Sequence, residues 1–156
     1  MVRVGIGYDL HLLVENRDLF IGGVKIDYSL GLAGHSDGDV LLHAVCDAIL
    51  GALGEADLGK HFPPSDDKYK NISSSFFIQE VIKLMREKEY KINNLDTVII
   101  ADEPKLSSYQ KPIQSNLARL LNIKEDKVNI KIKSQEGLSQ KKYISAYAVI
   151  SLISIS

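Results

Sequence analysis

The chain predicts an α/β (α+β) two-layer sandwich, a mixed four-stranded sheet with helices on one face plus a small N-terminal hairpin, in ferredoxin-like topology. Stretches of period-two apolar alternation occur at both ends and in the middle, which is strand patterning. Between them lie three apolar runs with helical spacing, so strands and helices are mixed within one unit. The 156 residues, 45% of them hydrophobic, suffice for one core and fall within the size of one domain. Residues 1–156 are therefore expected to form a single domain.

Val2, Val4 and Ile6 alternate with Arg3, Gly5 and Gly7, a half-buried strand that delivers Asp9 and His11 at its far end. Leu19-Phe20-Ile21 and Val24-Lys25-Ile26 flank Gly22-Gly23, a pair that accepts the positive φ of a tight hairpin turn. A loop through Gly31 and Gly34 leads to Asp37 as N-cap of an apolar helix from Val40 to Leu53, which ends near Gly54. A second helix starts within Ser73-Ser74-Ser75 and runs to about Glu89, burying Phe77, Ile78, Val81, Ile82, Leu84 and Met85. Leu95 to Ala101 reads as a buried strand broken by Pro104. A third helix covers Tyr109 to Leu121, and two strands follow, Val128 to Ile132 and Ile144 to Ile155. Helices on one face leave the other face of the sheet in need of a cover, for which a partner subunit is the natural candidate.

Charge narrows the function classes. Lys plus Arg number 19 against 20 Asp plus Glu, a net charge of −1, which offers no basic excess for nucleic-acid phosphates. No run of about 18 apolar residues is present and the N-terminus lacks the apolar centre of a signal peptide, so the expectation is a soluble intracellular protein without membrane or nucleic-acid partners. The one cysteine, Cys46, sits among Leu42, Val45, Ile49 and Leu50 and reads as a small buried hydrophobe.

Asp9-Leu10-His11 places a carboxylate and an imidazole at i and i+2, which extended backbone projects to the same side. Adding His43 gives two imidazoles and one carboxylate, a set that leaves a fourth position open on a catalytic Zn²⁺. Asp-x-His alone is a weak pattern, and nothing in the spacing brings His43 to the pair. Asp47, one helical turn after His43, either accepts the second imidazole proton or faces solvent. Asp37 and Asp39 read as helix caps, and His61 receives no role.

A longer set of residues carries a resemblance. Ile6-Gly7-Tyr8-Asp9-Leu10-His11, Ile21-Gly22-Gly23-Val24, His35-Ser36-Asp37-Gly38-Asp39-Val40, His43-Ala44, Asp47-Ala48 and Leu50-Gly51-Ala52 appear in that order. Asp57-Leu58-Gly59-Lys60, Phe62-Pro63, Ala101-Asp102-Glu103-Pro104-Lys105 and Val128-Asn129-Ile130-Lys131 continue the series. Together they resemble the 2-C-methyl-D-erythritol 2,4-cyclodiphosphate synthases of the non-mevalonate isoprenoid pathway, over almost the whole chain.

The resemblance implies conversion of 4-diphosphocytidyl-2-C-methyl-D-erythritol 2-phosphate to the 2,4-cyclodiphosphate with release of CMP. It implies a homotrimer with active sites between subunits, in the cytoplasm of a bacterial-type cell or in a plastid-like organelle after loss of a transit peptide. Asp9, His11 and His43 would hold one divalent transition metal per subunit, Zn, Mn or Co, with Asp9 and His11 also close to substrate. His35 and Ser36 would lie on a flexible loop over the diphosphate, and Asp57, Leu58 and Gly59 by the sugar and polyol. Phe62, Pro63, Pro64, Ser65 and Asp66 would follow along the same site. Ala101, Asp102, Glu103, Pro104, Lys105, Leu106 and Ser107 would shape a cytidine pocket. Lys133, Ser134 and Gln135 would also bind substrate, and Ser134 stands where the family has a phosphate-contacting Thr. Glu136 would ligate Mg or Mn bridging the α- and β-phosphates, and His35, Ser134 and Glu136 are the implied catalytic residues.

Departures from the family pattern cluster late. Lys133-Ser134-Gln135 stands for a Thr-rich run, and Ser139-Gln140-Lys141-Lys142 replaces a longer stretch with Phe and Arg. Pro64 and Ser65 replace a more polar loop. Lys141 or Lys142 either supplies the missing positive charge or belongs to a solvated turn. On the residues alone, a metal-stabilised binding module and a metal-dependent phosphohydrolase stand beside the synthase. A structural zinc site normally has four ligands rich in thiolate, so three candidates and one buried cysteine favour catalysis.

Overall fold

The structure, a computed structural model, describes residues 1–155. Eleven elements follow in chain order: β1 (Val2–Val14), β2 (Leu19–Ile21), β3 (Val24–Ile26), β4 (Gly31–Leu32), α1 (Val40–Leu53), α2 (Leu58–His61), α3 (Ser74–Glu87), β5 (Tyr90–Ala101), α4 (Gln110–Leu121), β6 (Val128–Lys133) and β7 (Tyr143–Ser154). Single 3₁₀ turns precede α4 and β6.

The expected four strands form the body of a mixed sheet in the order β1-β7-β5-β6, with β5 and β6 parallel and the other pairs antiparallel. Gly31 and Leu32, expected as loop, pair with Val14 and Leu13 and make a short fifth strand on the β1 edge. Helices cover one face, as predicted, but the connectivity is not ferredoxin-like. That unit runs βαββαβ, whereas here two strands each followed by a helix precede a final pair of strands, and β5 and β6 run parallel. The link from β5 to β6 through α4 is the helical crossover that parallel neighbours require. The separate β2–β3 hairpin turns at Gly22 and Gly23, with φ of 60° and 76°, the left-handed backbone that glycine adopts without steric cost.

α1 is the centre of the core. Eleven of its fourteen residues are buried, as befits a helix that is apolar nearly all round. Its only less buried positions, His43, Asp47 and Gly51, are spaced by four and so form one stripe. The helix ends at Gly54 in the left-handed conformation (φ 76°), whose N–H reaches the carbonyl oxygens of Leu50 and Gly51. Its N-cap is Asp39 rather than Asp37. Asp39 accepts from Leu42 N at 3.0 Å and also from Gly22 N and Gly23 N at 2.9 and 2.7 Å, so a buried carboxylate ties the hairpin to the helix start. Burial pushes its pKa up, against these three N–H groups, to about 6.

α1 meets β1 at two glycines. A Cβ on Gly5 would lie 1.9 Å from the Ala48 carbonyl oxygen, and one on Gly7 would lie 1.8 Å from that of Ala44. Only glycine allows this approach, and it lowers the His43 stripe onto the odd-numbered side of β1, where Asp9 and His11 stand. On the opposite side Val2, Val4, Ile6, Tyr8, Leu10 and Leu12 are exposed, together with Tyr147 and Val149 of β7.

Candidate metal centre

Asp9 and His11 lie inside β1, which continues to Val14, rather than at its far end. Their i, i+2 spacing puts both on the α1 side of the sheet, and His43 descends from the helix to meet them. Asp9 Oδ2 lies 2.8 Å from His11 Nε2 and 3.0 Å from His43 Nδ1, and the two nitrogens are 3.4 Å apart. Zn–N and Zn–O bonds of about 2.0–2.1 Å in a tetrahedron separate donors by roughly 3.3 Å, so three converging atoms at these spacings fit one ion with a position left open. Among the described residues this is the group of His, Cys, Asp and Glu side chains able to hold an ion.

The charges are matched before any ion binds. Burial works to raise the Asp9 pKa, but hydrogen bonds from His11 and His43 outweigh it and hold the carboxyl at about 2. Burial lowers the His43 pKa, and the bond to Asp9 with the nearby Asp9, Asp39 and Asp37 charges reverses this and leaves it raised. Cys46 is buried with its thiol pKa pushed well up, consistent with a core role.

Asp47 does neither of the two things open to it. It lies half-buried in the site wall and accepts from Leu58 N at 2.7 Å, fixing the start of α2, a helix that the periodicity did not reveal. The second nitrogen of His43 faces α3 instead: Nε2 lies 2.8 Å from Ser74 Oγ and 3.3 Å from Ser36 Oγ. Asp37 reaches the same helix, accepting from Ser74 N at 2.9 Å and from Ser74 Oγ.

A cavity of about 270 Å³ opens over the three donors, walled by His35, Ser36, Asp47, Leu58, Gly59, Phe62, Pro64, Tyr69 and Phe77. Tyr69 and Phe77 were not anticipated; Phe77 packs edge-on to His43 with centroids 6.2 Å apart. Asp57, Pro63, Ser65 and Asp66 are not among the lining residues; Asp57 is the N-cap of α2, accepting from Lys60 N at 2.9 Å. The His35–Ser36 loop is anchored: Arg17 donates to Gly34 O at 2.9 Å and to Ser36 O, and Asn71 N donates to His35 O at 2.8 Å. His61 turns away to Glu55 O at 2.6 Å.

The other predicted residues gather elsewhere. Asp102, Glu103, Lys105, Ser134, Gln135 and Glu136 line a second cavity of about 520 Å³ with Gln140, Lys141, Lys142 and Tyr143. Gln135 N donates to Asp102 Oδ1 at 2.6 Å, and Ser134 Oγ donates to Glu136 Oε1 at 2.9 Å. Ala101 and Leu106 are buried behind it, Pro104 follows a cis peptide bond, and Ser107 opens the turn before α4. Lys133 ends β6. The two cavities share no residue.

Comparison with known proteins places this arrangement. The model of the YgbB family matches residues 2–153. The chain belongs to the YgbB family. Among curated relatives, the 2-C-methyl-D-erythritol 2,4-cyclodiphosphate synthase of Clostridium acetobutylicum is 56% identical over 137 residues, 88% of this chain and 88% of that protein. The enzyme of the same name from Alkaliphilus metalliredigens is 49% identical over 154 residues, 97% of each. A solved 2C-methyl-D-erythritol-2,4-cyclodiphosphate synthase in a CDP-bound form superposes with a TM-score of 0.91 at 34% identity, covering 97% of this chain and all of that one. The fold of this chain is thus that of the YgbB family over nearly its whole length. No helix among the described residues is long and apolar enough to cross a membrane.

Proposed function

We propose that this chain is a metal-dependent cyclodiphosphate synthase that converts 4-diphosphocytidyl-2-C-methyl-D-erythritol 2-phosphate to 2-C-methyl-D-erythritol 2,4-cyclodiphosphate and CMP. The observation that carries it is the convergence of Asp9, His11 and His43 at the mouth of a cavity. High identity to curated synthases over most of the chain supports the substrate. The reaction joins a 2-phosphate oxygen to the β-phosphorus and breaks the bridging bond to the α-phosphate, whose oxygen leaves with CMP; no water is consumed.

Asp9, His11 and His43 would hold a transition metal, zinc by preference for its imidazole and carboxylate donors. Such an ion supplies Lewis-acid polarisation and charge neutralisation at the diphosphate. His35 and Ser36, on their anchored loop, orient the phosphates. Asp57, Leu58 and Gly59 hold the polyol with the segment from Phe62 to Asp66. Residues 101–107 would receive the cytidine, and Lys133, Ser134 and Gln135 would line the same cavity with Ser134 toward the phosphates. Glu136, whose carboxylate accepts from Ser134 Oγ, would hold Mg²⁺ or Mn²⁺ to neutralise diphosphate charge. Because the nucleophile is a phosphate already ionised, positioning and charge neutralisation suffice and no strong base is needed.

Residues 1–156 act as one domain in a homotrimer. The support is twofold: an apolar sheet face without a cover, and two half-sites that one chain keeps apart. The matched charge and the curated bacterial relatives support a cytoplasmic enzyme that does not engage nucleic acid. The test is phosphorus NMR of the protein with the substrate, Mg²⁺ and Zn²⁺. CMP and a cyclic diphosphate are expected with metal and not after chelation, and His43→Ala should lose both the bound metal and turnover. Intact substrate with the wild-type protein would reject the reading.

A further inference from the structure

We propose that Ser74, backed by Asp37, is a positioning residue for the metal centre, holding the proton of His43 on Nε2 and turning Nδ1 toward Asp9 and His11. This rests on the metal-site reading above and concerns how one ligand is oriented.

The argument is one of proton inventory. An imidazole that ligates through Nδ1 must carry its proton on Nε2 and needs an acceptor there. Ser74 Oγ is 2.8 Å away, but a hydroxyl both donates and accepts, so its direction decides the matter. Asp37 fixes that direction. Its two carboxylate oxygens are acceptors: Oδ1 accepts from the Ser74 hydroxyl and Oδ2 from the Ser74 backbone N–H, the latter at 2.9 Å. The lone pairs of Ser74 Oγ are then left for His43 Nε2–H. Ser74 is fully buried, so water does not compete for this bond, while Ser36 Oγ at 3.3 Å is a weaker alternative.

Asp47 accepts from Leu58 N, while the neighbours of His43 Nε2 are the Ser74 and Ser36 hydroxyls. Asp37 also follows His35 and Ser36 directly in the chain, so the carboxylate that orients the metal ligand tethers the phosphate-facing loop to α3 as well.

The experiment measures Zn²⁺ affinity by chelator competition for wild type, Ser74→Ala, Ser74→Cys and His43→Ala, with thermal melting alongside. Nitrogen-15 NMR of the Cd²⁺-113-loaded protein identifies the coordinating nitrogen. Expected are coupling of the ion to His43 Nδ1, a protonated Nε2, and affinity reduced by about 10–100-fold in the Ser74 variants. Ser74→Cys keeps the side chain's shape while weakening the acceptor, and serves if the alanine variant does not fold. Coordination through Nε2, or affinity within twofold of wild type in a folded Ser74 variant, would overturn the inference. Unchanged affinity in His43→Ala would instead overturn the metal-site reading on which it stands.

Discussion

At the scale of single residues, the metal centre is poised by opposite charges that the metal-free protein pairs internally. Asp9 holds its carboxyl at about 2 against an ordinary 3.8, so the native state refuses a proton that the unfolded chain accepts within that window. Its contribution is fully present above about pH 4 and is lost as pH falls through about 2. His43 is raised above its ordinary 6.5, so its contribution is complete below that value and fades as pH rises through the native pKa. In metal-free protein, Asp9→Asn should therefore cost most near pH 5, about 1–2 kcal/mol after allowance for partial exposure, and least at both extremes. Urea unfolding in a chelator at pH 3, 5 and 9 measures this, and a difference between the two proteins that does not vary with pH would reject the pairing. The Asp9–His11 pair was legible in the sequence because i, i+2 spacing on a strand is geometry, whereas no spacing tied His43 to it and only the family resemblance did. Ser74 was not legible: it read as part of a helix start, and its reach to His43 depends on how α3 packs beside α1.

At the scale of elements, the close packing of α1 on β1 is what carries His43 to Asp9 and His11. A methyl group on Gly7 would collide with the backbone carbonyl of Ala44, which cannot swing aside as a side chain does. Gly7→Ala should destabilise the protein by about 3 kcal/mol, the upper range for overpacking, and weaken metal binding as the helix lifts. Gly51→Ala is the control on the same face: its Cβ would sit 3.6 Å from the Ile6 carbonyl oxygen, an ordinary contact, and a helical alanine should gain up to about 1 kcal/mol over glycine. Equal melting temperatures for the two variants would refute this account. The hairpin and the C-terminal end of α1 were readable because Gly22-Gly23 and Gly54 act through local backbone, whereas the N-cap is Asp39 and not Asp37 because the hairpin N–H groups of Gly22 and Gly23 hold it there. The first half of β5 was not readable, since Lys91, Asn93 and Asn94 break the apolar pattern at a bulge between Ile92 and Asn94. Strand order escaped for a different reason: β7 lies between β1 and β5, and a choice of neighbour across more than a hundred residues leaves no mark on local periodicity.

At the scale of the whole molecule, the two faces of β1 divide the labour. Odd positions from Gly5 to His11 build the helix contact and the metal site, while even positions from Val2 to Leu12 form an exposed apolar ladder, Ile6 being 66% exposed. Tyr8 and Tyr147 extend it across to β7, with ring centroids 4.7 Å apart. A contiguous apolar surface of this kind fits the interface proposed above, and the separate cavities would give that interface a purpose. On the proposed site assignments, a substrate with cytidine at one end and the reacting diphosphate at the other would use both cavities, which a neighbouring copy would bring together. Ile6→Glu should therefore break the trimer, as read by sedimentation, and abolish turnover. The same variant should still bind one Zn²⁺ per chain, because Asp9, His11 and His43 lie on the opposite side of the strand. Retained trimer with full activity would show that this face is not the interface. A monomer with full activity would show that one chain holds a complete site, so separating metal binding from turnover in one variant tests the assembly independently of the metal centre.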